Sequence, residues 1–414
     1  MLESGWLQAN SAAIMRIGSM ALGRPLCDHC LGRLFARSGF GLTNEERGRA
    51  VRIVMALSAE LLSEESKDGP PDLLSQLPVH HSPPDIEDDT GDLSKDDGWT
   101  SEPTPSFDSY LSDVDIDGGC YICQDLFRDL DALAALIMER IDDQEFRTFQ
   151  VGTKVDPGTA ERERLVWELT EPTSAEPIKE EINREVGKIL GPMMPDKEFS
   201  RDDPEVTFII DPIFRVVKVQ RKPLFIYGRY NKFVRGIPQT RWECKKCRGR
   251  GCTNCNGKGK MYEISVEELI GGPFLKEAGA ANFKLHGMGR EDIDVKCLGT
   301  GRPFILEISE PAVRTLDIDA IGSEIGHNSG GKVEVRDLRQ TSRSEVALVK
   351  EGSSLKRYSA VISVKEGLDE EILKYNISLL AQSPISQRTP KRVSHRRADL
   401  VRERHIHEIE ARTI

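Results

Sequence analysis

The chain has 414 residues, 30% of them charged, and a formal charge of −11; that length suits two or three domains with ample cores, and that charge argues at first sight against a nucleic-acid partner. No run of about 18 apolar residues occurs, and the apolar stretch from Ala12 to Leu22 is broken by Arg16, Ser19 and the following Gly23, which excludes a membrane-spanning helix and a secretory signal. The expectation is a cytoplasmic protein with no membrane partner.

Residues 1 to 58 read as two helical pieces around Cys27-Asp28-His29-Cys30, with Leu31, Leu34 and Phe35 marking one face of the helix that follows. Residues 60 to 117 then carry 17 Asp/Glu against two Lys, so this stretch alone is −15 and the rest of the chain is +4. Its Ser, Pro, Gly and Asp content, almost without periodicity, predicts a disordered acidic insertion over 60 to 118 that cannot bury enough apolar surface to offset its chain entropy. Cys120-Tyr121-Ile122-Cys123 follows directly. Eight of the nine cysteines fall into C-x2-C pairs (Cys27/Cys30, Cys120/Cys123, Cys244/Cys247 and Cys252/Cys255), which in a cytosolic protein of this size reads as structural zinc rather than disulfides.

Leu126, Leu130, Leu133, Leu136, Ile137 and Ile141 are spaced for one face of an amphipathic helix. An extended run from Arg147 to Val155, a helix near Ile178 to Leu190, and strands at Val206 to Ile210 and Phe214 to Val219 complete a small α/β unit, with residues 1–59 and 119–222 as the first domain. The next segment, 223–260, is basic. Between Arg215 and Lys260 stand 14 Lys/Arg and one acid, Glu243, interleaved with Tyr227, Tyr230, Phe233 and Trp242. Such a block is either a solvated face or a phosphate-binding surface, and on the second reading Arg229, Lys232 and Arg235 are the candidate RNA contacts. Within it, Cys244-x2-Cys247-x4-Cys252-x2-Cys255 is studded with Gly249, Gly251, Gly257 and Gly259, which permit the turns that four close thiolates need around one metal. Similar units occur in the DnaJ co-chaperones, but this chain has neither an HPD tripeptide nor further repeats of the unit.

Residues 261 to 414 form the last domain. A helix is predicted at Val266 to Ala278, and then comes the tripeptide Arg290-Glu291-Asp292. Ile293, Val295 and Cys297 alternate with Asp294 and Lys296, and Gly299-Thr300-Gly301 leads into Phe304-Ile305-Leu306, which is the pattern of a β-hairpin just after Asp292. A carboxylate at that mouth serves as nucleophile, as general base, or only as a solvated turn acid. A strand around Lys332 to Val335, a strand from Tyr358 to Val364, a helix near Asp369 to Leu380 and a basic segment from Arg388 to Arg404 follow. Without a βαβ repeat, these argue for an α+β fold with a mixed, largely antiparallel sheet and flanking helices.

The blocks GRYNKFVRGIPQTRW (228 to 242), Arg290 to Phe304, LKRYSAVISV (355 to 364) and ISQRTPKRVSHRRADLVR (385 to 402), together with the cysteine-bearing N-terminal part, resemble the archaeal tRNA pseudouridine synthase family that modifies positions 54 and 55 of the TΨC arm. The resemblance implies an isomerase with tRNA as its partner and a THUMP domain gripping the acceptor end. It implies Asp292 as the catalytic carboxylate, Tyr358 as the aromatic wall against the target uracil, and Cys27, Cys30, Cys120 and Cys123 as ligands of a structural zinc. Arg290 is placed to fill the space of the flipped base or to pair with phosphate. No redox or nucleotide cofactor is expected, in keeping with the absence of a P-loop or dinucleotide-binding fingerprint, and no obligatory protein partner is evident.

The family pattern continues after HRRADLVRER through a further strand and a G-x-Y-x-K-E segment, whereas this sequence stops at Ile414; the expectation is a C-terminally incomplete catalytic domain. Two readings therefore stand side by side. One is an active tRNA pseudouridine synthase, and the other is a catalytically inactive, zinc-containing tRNA-binding protein.

Overall fold

The computed structural model describes residues 26–65, 119–142, 144–352, 354–363, 369–389 and 398–411. It divides into two units, Met1–Gly352 and Ser353–Ile414. The expected acidic insertion lies outside the described residues, apart from its first residues, which continue a helix.

The first unit opens with the short helix α1 (Asp28–Gly32) and the longer α2 (Asn44–Glu65), which runs past the boundary expected at residue 59. Thr43 and Glu46 start α2 by exchanging bonds, Thr43 N to Glu46 Oε2 at 2.7 Å and Glu46 N to Thr43 Oγ1 at 3.1 Å. The predicted helix after Cys123 is a 3₁₀ turn followed by α3 (Leu130–Met138), with Leu130, Leu133 and Ile137 buried and Leu126, Leu136 and Ile141 at the margin. Strand β1 (Thr148–Thr153) leads to α4 (Pro157–Thr170), α5 (Ile178–Met193), β2 (Glu198–Phe199), β3 (Val206–Asp211) and β4 (Val216–Arg221).

These strands form one sheet in the order β2-β1-β3-β4, parallel across β2, β1 and β3 and antiparallel between β3 and β4. Parallel neighbours need a crossover, and α4 with α5 supplies it. On α5 the residues Ile178, Ile182, Val186 and Leu190 recur every four positions and are all buried, each contributing roughly 1.5–3 kcal/mol of burial free energy. Sequence periodicity did not pick out α4. Its interior is AERERLVWEL, charged on most sides, and the helix is set by its ends: Asp156 accepts from Thr159 N at 3.0 Å, Pro157 occupies the first turn, and Glu171 closes it at φ 45°.

A second sheet has the order β6-β7-β5-β8 and is antiparallel throughout, from β5 (Leu224–Lys232), β6 (Asn282–Gly287), β7 (Cys297–Ser309) and β8 (Val333–Thr341). Helices α6 (Val266–Glu277) and α7 (Ile318–Asn328) cover one face, where Val266, Ile270, Phe274, Ile321 and Ile325 pack with Ile226, Tyr230, Phe304, Leu306 and Ile308. The other face is smaller: Phe225 and Ile305 meet Val349 of α8 (Arg343–Glu351). The central strand β5 lies inside the segment 223–260 that composition had set apart as a basic surface.

The predicted hairpin after Asp292 is corrected. Residues 297–309 are a single long strand, and the antiparallel partner that turns into it is β6, so residues 288–296, Asp292 among them, are the connection itself. Gly299 and Gly301, both at positive φ (66° and 71°), mark a bulge rather than a turn: the pairing moves from Tyr230↔Arg302 to Lys232↔Cys297, and residues 298–301 loop out.

The second unit contains α9 (Glu370–Leu380), capped by Asp369 onto Glu371 N (2.8 Å) and Ile372 N (3.2 Å), and the antiparallel pair β9 (Ile385–Arg388) and β10 (Val401–Arg404). The expected strand from Tyr358 is not formed among the described residues 354–363, which carry no ladder and are exposed. Exposed apolar side chains without cross-strand neighbours do not hold an extended segment in a sheet.

Candidate functional site

Two side chains of β5, Tyr230 and Lys232, hold the connection that carries Asp292, and two others, Arg229 and Asn231, hold the bulge that follows it. Arg229 donates to Thr300 O (2.7 Å) and Gly301 O (3.0 Å), and Asn231 donates to Cys297 O and Gly299 O (both 3.3 Å), so these two lock the β7 bulge. The Tyr230 hydroxyl donates to Glu291 Oε2 at 2.7 Å. Lys232, fully buried, donates through Nζ to Ile237 O (3.1 Å), Asp292 O (3.2 Å) and Ile293 O (3.5 Å), and lies 3.7 Å from Glu291 Oε1. Arg302 completes the cluster, with Nε 2.9 Å from Glu291 Oε2 and Nη1 donating to Met288 O at 2.7 Å. Gln239 donates to the Tyr230 hydroxyl (2.8 Å) and to Gly289 O (3.1 Å).

This buried cluster has electrostatic consequences. Burial pushes the Tyr230 phenol well above its ordinary pKa, with the Glu291 charge adding to it. Burial lowers the Lys232 ammonium, against the pull of Glu291. The assignment of Lys232 to phosphate is therefore corrected, because an ammonium with no solvent exposure and three carbonyl partners cannot face a tRNA backbone.

Arg229 is half-buried with its guanidinium on the bulge, whereas Arg235 is exposed, as are Lys245, Lys246, Arg248, Arg250 and Lys258 around the second cysteine cluster. Within the tripeptide the three side chains part company. Glu291 points inward, Asp292 is exposed, and Arg290 lies over the Trp242 ring at 5.8 Å. Tyr358 belongs to the second unit and is exposed. Gln239 and Arg302 were not singled out from sequence, Tyr230 was read only as one of the aromatics interleaved in the basic block and Glu291 only as a member of the charged tripeptide; the apolar run Leu224-Phe225-Ile226 just ahead of the basic residues was the available sign that a strand begins there.

Both cysteine sets converge. Cys27, Cys30, Cys120 and Cys123 form one group and Cys244, Cys247, Cys252 and Cys255 another, with the sulfurs of each group all within 4.8 Å of one another. A tetrahedral zinc with bonds of about 2.3 Å sets its sulfurs about 3.8 Å apart. Cys27 and Cys123 stand at 3.6 Å, Cys244 and Cys252 at 3.9 Å, and Cys247 and Cys255 at 3.8 Å, far outside disulfide length and close to that tetrahedron. The residues fit the metal.

Backbone amides support the second set, with Gly251 N on Cys247 Sγ and Gly259 N on Cys255 Sγ, both at 3.2 Å. In the first set the fully buried Arg33 reaches Cys30 Sγ at 3.6 Å and pairs with Glu163. His29 stacks on Phe127 (centroids 4.4 Å apart) and bonds Glu181 at 2.8 Å. Burial alone would lower His29, but Glu181 brings it above its ordinary pKa.

Two family models match the chain, one described as the C-terminal part of Pus10 over residues 225–414 and one as the archaeal Pus10 THUMP domain over residues 133–211. The tRNA pseudouridine synthase Pus10 of Methanothrix thermoacetophila is 39% identical over 410 residues, covering 98% of this chain and 82% of that protein. Those of Methanopyrus kandleri (38% identical; 92% and 82%) and Methanocaldococcus jannaschii (37%; 93% and 80%) are similar over most of the chain as well. The THUMP match spans the first sheet from α3 to β3, and the C-terminal match takes in the second sheet and the second unit.

Proposed function

The chain belongs to the Pus10 family of tRNA pseudouridine synthases, and on that premise we propose that it isomerises uridines 54 and 55 of the TΨC loop to pseudouridine in the cytoplasm, with Asp292 as the catalytic carboxylate. The supporting observation is the contrast inside the tripeptide: Glu291 is committed to a buried cluster, while Asp292 is exposed on a connection pinned at several backbone carbonyls.

The reaction breaks the bond from C1′ of the ribose to N1 of the uracil, turns the ring in place, and forms a bond from C1′ to C5. The proton on C5 is lost and N1 gains one, so the product has the formula of the substrate and no redox partner is required. Asp292 either attacks the nucleoside or removes a proton from it. The uridine must first leave its stack, at a cost of a few kcal/mol. Arg290 then fills the vacated space or meets phosphate, and Tyr358 walls the ring. Arg235 and the exposed bases around the second cysteine cluster contact the tRNA backbone, where they release condensed counterions. Both four-cysteine groups hold structural zinc, which fixes the chain segments around it and takes no part in the chemistry.

The test is to incubate the 414-residue chain with an unmodified tRNA transcript and map pseudouridine by carbodiimide adducts. Pseudouridine at 54 and 55 supports the proposal. Tight tRNA binding with no pseudouridine formed overturns it in favour of a binding protein without catalysis.

A further inference from the structure

We propose that Lys232, Glu291 and Arg302 are positioning residues that set the place of Asp292 by holding the backbone of the 288–296 connection, a role that rests on the reading of Asp292 above. The argument begins with cost. Burying two cations and a carboxylate is expensive, and replacing such a cluster by apolar side chains is often neutral or stabilising, so its value lies in fixing one arrangement rather than in net stability. Here the arrangement it fixes is specific.

Lys232 Nζ takes the carbonyls of Asp292 (3.2 Å) and Ile293 (3.5 Å), Arg302 takes that of Met288 (2.7 Å), and Gln239 takes that of Gly289 (3.1 Å). All four bonds go to backbone oxygen, so they fix where the chain runs without engaging the outward side chains. Glu291, one residue from Asp292, is the counter-charge that keeps Lys232 and Arg302 in place, and the Tyr230 hydroxyl bonds the same carboxylate. The β7 bulge, where residues 298–301 loop out, sets Cys297 opposite Lys232 and so brings the end of the connection beside it. Tyr230 and Lys232 of β5 are thus a scaffold for the catalytic loop, and Lys232 is not part of an RNA surface.

The experiment compares the full chain with Lys232→Met, Glu291→Gln and Tyr230→Phe, using two readouts. In the first, hydrogen exchange of a peptide spanning 288–296 should speed up by roughly tenfold or more in Lys232→Met while exchange in the first sheet stays unchanged. In the second, the single-turnover rate of pseudouridine formation at saturating tRNA should fall by roughly 100-fold, the scale expected when a reacting group is displaced by about an ångström. The tRNA Kd should stay within about threefold, a split that general loss of structure would not give. Tyr230→Phe removes one hydroxyl and should show the same pattern at smaller size; if Lys232→Met does not fold, this variant decides. Unchanged loop exchange, or rate and affinity falling together with faster exchange throughout the first unit, overturns the proposal. If the unaltered chain forms no pseudouridine, the reading of function fails, while the exchange comparison still decides whether the cluster holds the loop.

Discussion

The two cysteine clusters should contribute to stability very unequally, and the difference follows from the chain each one closes. A metal joining Cys30 to Cys120 closes a loop of about 90 residues, whereas Cys247 and Cys252 are only about five residues apart. In the chain-entropy account of a cross-link, those separations correspond to about 4.6 and about 2 kcal/mol of denatured-state restriction. The surroundings point the same way: Cys30, Cys120 and Cys123 are buried in the first core with Leu31, Leu34 and Ile122, while Cys252 and Cys255 are partly exposed. Cys30→Ser and Cys247→Ser should each lose one zinc by atomic absorption. In urea unfolding followed by circular dichroism, Cys30→Ser should lower the unfolding free energy by about 2 kcal/mol or more beyond Cys247→Ser. The reasoning is refuted if Cys247→Ser destabilises as much as Cys30→Ser, or if either variant keeps the full zinc content.

Deleting residues 62–116 removes most of a −15 stretch and shortens the loop closed by the first cluster, a change worth less than about 1 kcal/mol of closure entropy. The variant should fold with an unchanged melting temperature to within a few degrees and bind tRNA more tightly at low salt, and a filter-binding titration that shows weaker binding would count against this. Gly271 of α6 faces Phe283, where an added Cβ would stand 2.2 Å from the ring; Gly271→Ala should cost about 1–3 kcal/mol in urea unfolding, and a neutral result would show that the ring yields freely. Glu145 bridges the two sheets, its carboxylate accepting from the Thr315 hydroxyl and from the amides of Arg314 (2.7 Å) and Thr315 (2.9 Å), and these bonds hold it below its ordinary pKa of 4.5. A carboxylate lowered in the folded state stabilises above its unfolded pKa, and that stability is lost as pH falls through the folded value. The melting temperature should therefore drop below about pH 4.5 in the parent and less so in Glu145→Gln, with parallel pH curves as the contrary result.

What the sequence revealed and what it hid have separate physical causes. The tight spacing from Cys244 to Cys255 pointed to one four-sulfur group, whereas the joining of Cys27 and Cys30 with Cys120 and Cys123 was implied by the family resemblance, and the structure brings both sets together. Helix α5 was legible because one face is continuously apolar. Strand β5 was hidden: flanked on both edges by β7 and β8, it carries Asn231 and Lys232 into the protein, and composition alone cannot distinguish a buried, paired cation from a solvated one. The same ambiguity concealed Glu291 beside Asp292. The misplaced hairpin has a local cause, since Gly299 and Gly301 serve a bulge as readily as a turn, and only the register against β5 separates the two. The stretch from Leu355 to Ile362 has the apolar content of a strand but no ladder partner among the described residues.

The most direct measurement is pseudouridine at positions 54 and 55 of an unmodified tRNA transcript after single-turnover incubation with the parent chain and with Asp292→Asn. The substitution keeps the volume of an exposed side chain and leaves Lys232 and Glu291 in place, so folding and tRNA affinity should be unchanged to within about threefold. The account predicts pseudouridine with the parent and none with Asp292→Asn. Pseudouridine forming at the parent rate with Asp292→Asn would contradict it.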